Sequence, residues 1–173
     1  MKTLYESLLD DDLITKTDKM IKDEIKLFLK ETYNGVMKIS KKPNSDGKYE
    51  VSSTGNVSVK NRDIISLTNG TFIWSVVGGD FYCNNCNSLT SLEGAPEKVG
   101  KYFYCDNCNS LTSLEGAPKK VGGTFCCDMC ISLISLEGAP KEVGGRFYCN
   151  NCAGKFTTED VKKVSNVKGE IKC

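Results

Sequence analysis

Phe81-Tyr82-Cys83-Asn84-Asn85-Cys86 returns as Phe103-Tyr104-Cys105-Asp106-Asn107-Cys108, as Phe125-Cys126-Cys127-Asp128-Met129-Cys130 and as Phe147-Tyr148-Cys149-Asn150-Asn151-Cys152. The text between these phrases repeats too. Leu89-Thr90-Ser91-Leu92-Glu93-Gly94-Ala95-Pro96 comes back from Leu111 to Pro118 and, with Ile134 in place of threonine, from Leu133 to Pro140. From Val77 to Cys152 the period is 22 residues without a slip. A fixed period in the twenties predicts a solenoid, because each unit can bury its apolar face only by stacking on the next.

One unit can be read residue by residue. Phe103 and Cys105 alternate with Tyr102, Tyr104 and Asp106, the period of two expected of a strand with one buried face. Cys108 follows where the chain leaves the strand, and Leu111 and Leu114 are spaced to point back into the same core. Gly116-Ala117-Pro118 turns the chain, Val121 re-enters, and Gly122-Gly123 leads to the next strand. The Gly-Gly pairs at 78-79, 122-123 and 144-145 read as a conformational need of the backbone rather than a phosphate cradle. Stacking predicts parallel strands about 4.8 Å apart. The phenylalanines, the two sets of cysteines and the leucines then each form a column.

The run Phe-x-Cys-x-x-Cys-x-x-Leu-x-x-Leu resembles the strand and turn of a leucine-rich repeat, L-x-L-x-x-[N/C]-x-x-L, in its cysteine-containing variants. Cys86-x-x-Leu89-x-x-Leu92 with Pro96 and Val99 is similar to the BspA-like repeats of bacteria, which carry C-x-x-L-x-x-I and a proline. The resemblance spans 77–152. It implies that Cys86, Cys108, Cys130 and Cys152 occupy the Asn/Cys turn position, packing inward beneath the strand edge. The opening Met1 to Asp10, together with the Leu-Glu-Gly-Ala-Pro phrase, also resembles small repeat proteins of tailed phages and gut bacteria.

On the N-terminal side, residues 1–33 read as a helical cap. Ile21, Ile25, Phe28 and Leu29 fall on one helical face, and Thr17 or Asp18 is placed to cap it. Leu4, Tyr5, Leu8 and Leu9 form an earlier apolar cluster before the Asp10–Asp12 run. Residues 34–76 read as a β-hairpin, Val36 to Ser40 and Tyr49 to Ser52, followed by a degenerate first repeat. In that repeat Val57 and Val59 match Phe81 and Cys83 after a shift of about two residues. The solenoid itself takes 77–156, and 157–173 forms a C-terminal cap in which Thr157 and Asp160 predict a capping box. The fold class expected is α+β: a short leucine-rich-repeat-like solenoid closed by helices and a hairpin.

Net charge is +1, with 12 Lys/Arg against 11 Asp/Glu up to Gly70 and 11 against 11 beyond it. A nucleic-acid binder carries a basic excess, and these totals hold none. No basic, apolar leader opens the sequence, and no stretch approaches the about 18 apolar residues of a membrane span. A reducing cytoplasmic location is therefore expected, where the ten cysteines would be thiols or metal ligands rather than disulfides.

Cys83, Cys86, Cys105 and Cys108 have the form C-x2-C-x18-C-x2-C, within the window of a four-cysteine zinc site. The same period accounts for the leucines, however, which a zinc ribbon does not require. Buried thiol ladders without a cofactor are the expectation, since free cysteine packs as a small hydrophobe. Cys126 replaces a tyrosine at an outward position and is expected to be the most exposed thiol of the repeats. The sequence has no histidine, so Cys-His and Ser-His catalysis are excluded, and no phosphate-binding glycine motif is present. An enzyme is not expected.

The outward strand residues form a grid: Asp80, Tyr82, Asn84; Tyr102, Tyr104, Asp106; Thr124, Cys126, Asp128; Arg146, Tyr148, Asn150. Tyrosine offers rigid amphipathic contact area and is enriched at interface centres. The same rings can simply stack across strands. A second outward column, Glu93, Glu115 and Glu137, suits a basic partner or a solvated face. The expected function is non-enzymatic protein binding by this grid, in its most concrete form a phage-encoded inhibitor or adaptor on a host defence protein. The alternatives are a zinc module contacting nucleic acid and a structural part of a larger assembly.

Overall fold

A strand begins wherever the phenylalanine of the repeat occurs. In the computed structural model, which describes residues 17–30, 36–60, 62–68 and 70–173, these strands are β5 (Phe81–Tyr82), β7 (Phe103–Tyr104), β9 (Phe125–Cys126) and β11 (Phe147–Tyr148). They pair in parallel with Phe81 opposite Phe103, Phe103 opposite Phe125 and Phe125 opposite Phe147. Every one of these phenylalanines is fully buried. The Phe81, Phe103 and Phe125 rings stack at 5.4 and 5.5 Å with planes 6° and 5° apart. The expected solenoid is thus the observed one.

Each turn also contributes a second strand that the sequence reading treated only as a re-entering valine. These are β6 (Lys98–Val99), β8 (Lys120–Val121) and β10 (Glu142–Val143), paired in parallel with valine opposite valine. The coil therefore has two walls, a six-stranded parallel sheet and a seven-stranded sheet parallel in all but its first strand, with the phenylalanine and valine columns facing one core. The Leu-Glu-Gly-Ala-Pro segments between the walls are turns, and their leucines are buried.

The glycine pairs follow from how closely consecutive turns approach. A Cβ at Gly100, Gly122 or Gly144 would stand 2.2, 2.1 or 2.2 Å from the carbonyl oxygen of the glycine one turn earlier. Contact, not a left-handed backbone, explains them. The left-handed glycines of the leucine segments are Gly94, Gly116 and Gly138, with φ of 85°, 82° and 81°.

The ends deviate from the repeat. The hairpin is β1 (Met37–Ile39) antiparallel to β2 (Tyr49–Ser53), and β2 pairs in parallel with β4 (Phe72–Val77) to start the seven-stranded wall. The strand β3 (Val57–Ser58) places Val57 opposite Phe81, the two-residue shift expected of a degenerate first repeat. Helix α1, described over 17–28, buries Ile25, the turn that follows it buries Leu29, and Phe28 meets Phe72 edge-on at 5.7 Å. Thr17 and Asp18 are both already helical, so neither is the cap; Asp18 accepts a hydrogen bond of 2.5 Å from the Tyr49 hydroxyl. The Leu4 to Leu9 cluster and residues 31–33 lie outside the described residues.

At the other end Thr157 and Asp160 make the capping box of α2 (Thr158–Val164). Two strands follow it, β12 (Asn166–Val167) and β13 (Ile171–Lys172), extending each wall by one strand. Val167 pairs with Val143 and Ile171 with Phe147, so this turn has 24 residues, with α2 in place of the leucine segment. Among the described residues no helix is long and apolar enough to cross a membrane.

Candidate binding face

The outward side of the six-stranded wall is ordered by the same register as its core. Tyr82 and Tyr104 stack at 5.3 Å with planes 6° apart, and Tyr102 leans on Tyr104 at 6.0 Å. Tyr82, Tyr104 and Tyr148 are half-buried, and Tyr102 is 42% exposed. Burial is the first cause that pushes the Tyr82 and Tyr104 phenols above their ordinary pKa, so both stay neutral hydroxyls. Lysines flank the ladder at both ends: Lys60 lies 5.7 Å above the Tyr82 ring and Lys172 lies 5.8 Å from the Tyr148 ring. The sequence reading missed both. The 24-residue step from Tyr148 was the signal for Lys172.

Two members of the grid do not face solvent. Asp80 is only 9% exposed; its carboxylate accepts from the Tyr82 hydroxyl at 3.0 Å and the Tyr102 backbone N–H at 3.1 Å. It pins the first two turns together. Cys126 is the most exposed thiol of the repeats, as expected, yet at 7% it is buried all the same. Its short side chain is sunk between the longer Tyr104 and Tyr148 in the column, and burial pushes the thiol up to about 12.

The next column outward is polar and partly spoken for. Asp128 accepts from the Asn150 backbone N–H at 2.6 Å and from its side-chain amide at 3.0 Å. Asp106 is half-buried, and that burial, followed by the neighbouring Asp128, raises its pKa. Asn84 is half-buried as well, while Thr124 and Arg146 complete the remaining column, Arg146 exposed and within 3.8 Å of Glu170. The register thus gathers the predicted grid on one face, with Tyr102 and Arg146 the exposed members, Tyr82 and Tyr104 a stacked pair, and Tyr148 half-buried beyond Cys126.

Beneath this face the cysteines form two columns. Cys108, Cys130 and Cys152 each donate S–H, at 3.2 Å, to the carbonyl oxygen of Cys83, Cys105 and Cys127 one turn earlier. That bond serves a carbonyl at the point where the strand ends. Eight of the cysteines are free and buried. Burial holds Cys83 and Cys105 well above the usual thiol range and pushes Cys108 and Cys130 up to about 12. Thiols so held are poor nucleophiles at neutral pH. The other two, Cys149 and Cys173, are joined as a disulfide, where the sequence reading expected thiols throughout. Among the described residues no three Cys, Asp or Glu side chains converge as a metal ion would require.

Glu93, Glu115 and Glu137 are exposed along the leucine turns and share a shallow hollow with Lys141. Lys119 and Lys120 pair elsewhere, with Glu97 at 3.2 Å and Glu142 at 2.7 Å. The sequence reading also passed over Met129, Ile131 and Ile134, exposed by 48, 63 and 69%; all three belong to the third turn. No known protein family, curated protein or solved structure matches this chain.

Proposed function

We propose that the protein is a non-enzymatic binding module that engages another protein through the outward face of the six-stranded wall. The observation that carries this reading is the Tyr82–Tyr104 pair, stacked at 5.3 Å, with the exposed Tyr102 ring leaning on Tyr104 at 6.0 Å. Aromatic side chains held in place by their neighbours lose little freedom on contact, so apolar area they bury contributes to affinity almost undiminished. The balanced net charge of +1 supports a protein surface over nucleic acid as the partner.

Two finer parts of the reading rest on resemblance. One is that the coil is of the cysteine-containing, leucine-rich type, supported by the S–H bonds at the Asn/Cys turn position. The other is that the module is a phage-encoded inhibitor or adaptor for a host defence protein.

A tagged pull-down from bacterial lysate tests the central claim, comparing the native chain with a Tyr82→Ser/Tyr104→Ser/Tyr148→Ser variant that retains its circular dichroism. A stoichiometric partner lost in the variant is expected. A partner retained equally by both would remove the site from this face, and no partner under any condition would sink the reading.

A further inference from the structure

The in-register cysteine column extends to Cys173, which stands one 24-residue turn beyond Cys149. Cys149 is 2% exposed, whereas Cys173 is exposed to solvent. Their bond opens onto a surface hollow of about 520 Å³ that is also lined by Cys152, Lys155 and Phe156. A disulfide between an exposed and a buried cysteine differs from the eight thiols buried inside the coil. We propose that Cys149–Cys173 is a thiol-exchange site for a small anionic thiol of the glutathione class, and that opening it releases the last strand of the six-stranded wall.

The geometry fixes the direction of attack. An incoming thiolate reaches the Cys173 sulfur from the hollow, with the Lys155 ammonium on the same wall to draw in an acidic thiol. The new S–S bond to Cys173 forms as the Cys149–Cys173 bond breaks. Cys149 leaves with the electron pair and takes up the proton that the incoming thiol gave. A second thiol then attacks the mixed disulfide, releasing the oxidised small disulfide and Cys173 as a thiol. The protein bond gains two electrons and two small thiols lose them. The oxidised form of the same small thiol reverses both steps.

What the bond holds is slight without it. Strand β13 spans two residues and is tied to β11 by the Phe147 and Cys149 N–H groups, which donate to the Glu170 and Lys172 carbonyls at 3.0 and 2.8 Å. An edge strand of two residues frays readily. Opening would uncover the β11 edge beside Tyr148, next to the tyrosine face.

The test begins with protein purified without reductant, denatured, alkylated and digested. Cys149 and Cys173 are expected as one cross-linked peptide pair; full alkylation of both overturns the proposal. Hydrogen exchange of the Phe147 and Cys149 amides is then followed with and without reduced glutathione. Exchange on the order of a hundredfold faster after reduction is expected, the factor a loop of this size implies, and Cys173→Ser should match it without glutathione. Unchanged exchange once the bond is shown to be broken would overturn the latch. Lys155→Glu should slow opening by glutathione several-fold but not by neutral 2-mercaptoethanol; equal effects on both thiols would overturn the preference for an anionic one.

Discussion

Replacing Phe103 by alanine tests the stacking logic of the coil at its centre. Phe103 is fully buried between Phe81 at 5.4 Å and Phe125 at 5.5 Å, its ring parallel to both. Truncation removes a phenyl group from a site whose walls are fixed above and below by backbone pairing, so the cavity cannot collapse. The expected loss is about 4–5 kcal/mol, the upper part of the range for buried Phe→Ala. Phe147 is the control. It meets one ring, Phe125, at 5.0 Å and a tilt of 40°, with Ile171 as its other register neighbour. Phe147→Ala should therefore cost about 3 kcal/mol. Urea unfolding can be followed by circular dichroism and by the fluorescence of the one tryptophan, Trp74, which is buried at the N-terminal end 6.0 Å from Phe81. In the native chain the two transitions should coincide. In Phe103→Ala the weakened junction between turns should separate them, because stability in a coil is a sum of turns and nearest-neighbour interfaces. A loss below about 1.5 kcal/mol, or a Phe147→Ala cost equal to that of Phe103→Ala, would refute the reasoning.

Cys108→Ala leaves the Cys83 carbonyl without its 3.2 Å S–H donor and should cost about 1–3 kcal/mol, with serine recovering part; urea midpoints that rank alanine equal to native would remove the bond from the account. Met129 holds a left-handed φ of 57° where Asn85, Asn107 and Asn151 hold the same position, so Met129→Asn should stabilise by about 1 kcal/mol and raise Tm, and a fall in Tm would contradict it. Burial raises the Cys108 and Cys130 thiols from 9.0 to about 12, so the stability they lend is fully present below pH 9.0 and is lost as pH rises toward 12. Native protein at pH 8–9 should accordingly leave these thiols unlabelled by a disulfide reagent that labels them at once in urea; equal labelling in both would contradict their burial. Asp160 is held down from 3.8 to about 2, first by the Thr157 hydroxyl and then by Lys163. The capping box of α2 should therefore be intact above pH 3.8 and released as pH falls toward 2, with the Asp160 carboxyl titrating low by NMR.

The legible part of this fold was whatever the period repeats. Phenylalanine, cysteine and leucine recur every 22 residues and all are core, and the shifted match of Val57 to Phe81 was readable for the same reason. The valine strands were not readable as a wall. Two residues such as Lys98-Val99 are too short for alternation to declare itself, and only the stacking of four such strands onto β4 makes a sheet. The final strands escaped because Ile171 stands where phenylalanine would, after a turn lengthened by α2. At the candidate face, alternation gave side-chain direction correctly but not exposure. An outward residue shorter than its column neighbours is buried by them, as Cys126 is by tyrosines, and an outward carboxylate that finds donors folds down onto them, as Asp80 does.

The repeat also supplies its own control for what the coil requires. At three outward positions the first two turns carry Asn85 and Asn107, Asn87 and Asn109, and Thr90 and Thr112, where the third carries Met129, Ile131 and Ile134. The asparagines serve the fold locally: they tolerate the left-handed backbone, and the Asn107 amide donates to Asn85 at 2.7 Å across the turns. Met129 gives up both advantages and stays 48% exposed. Packing therefore did not select it, since its neighbours do the same structural work better with a polar side chain. Ile131 and Ile134 repeat the pattern, exposing aliphatic surface at positions where polar residues fit the same register. Requirements of the coil account for the columns inside it, and they do not account for the aliphatic side chains that this turn exposes.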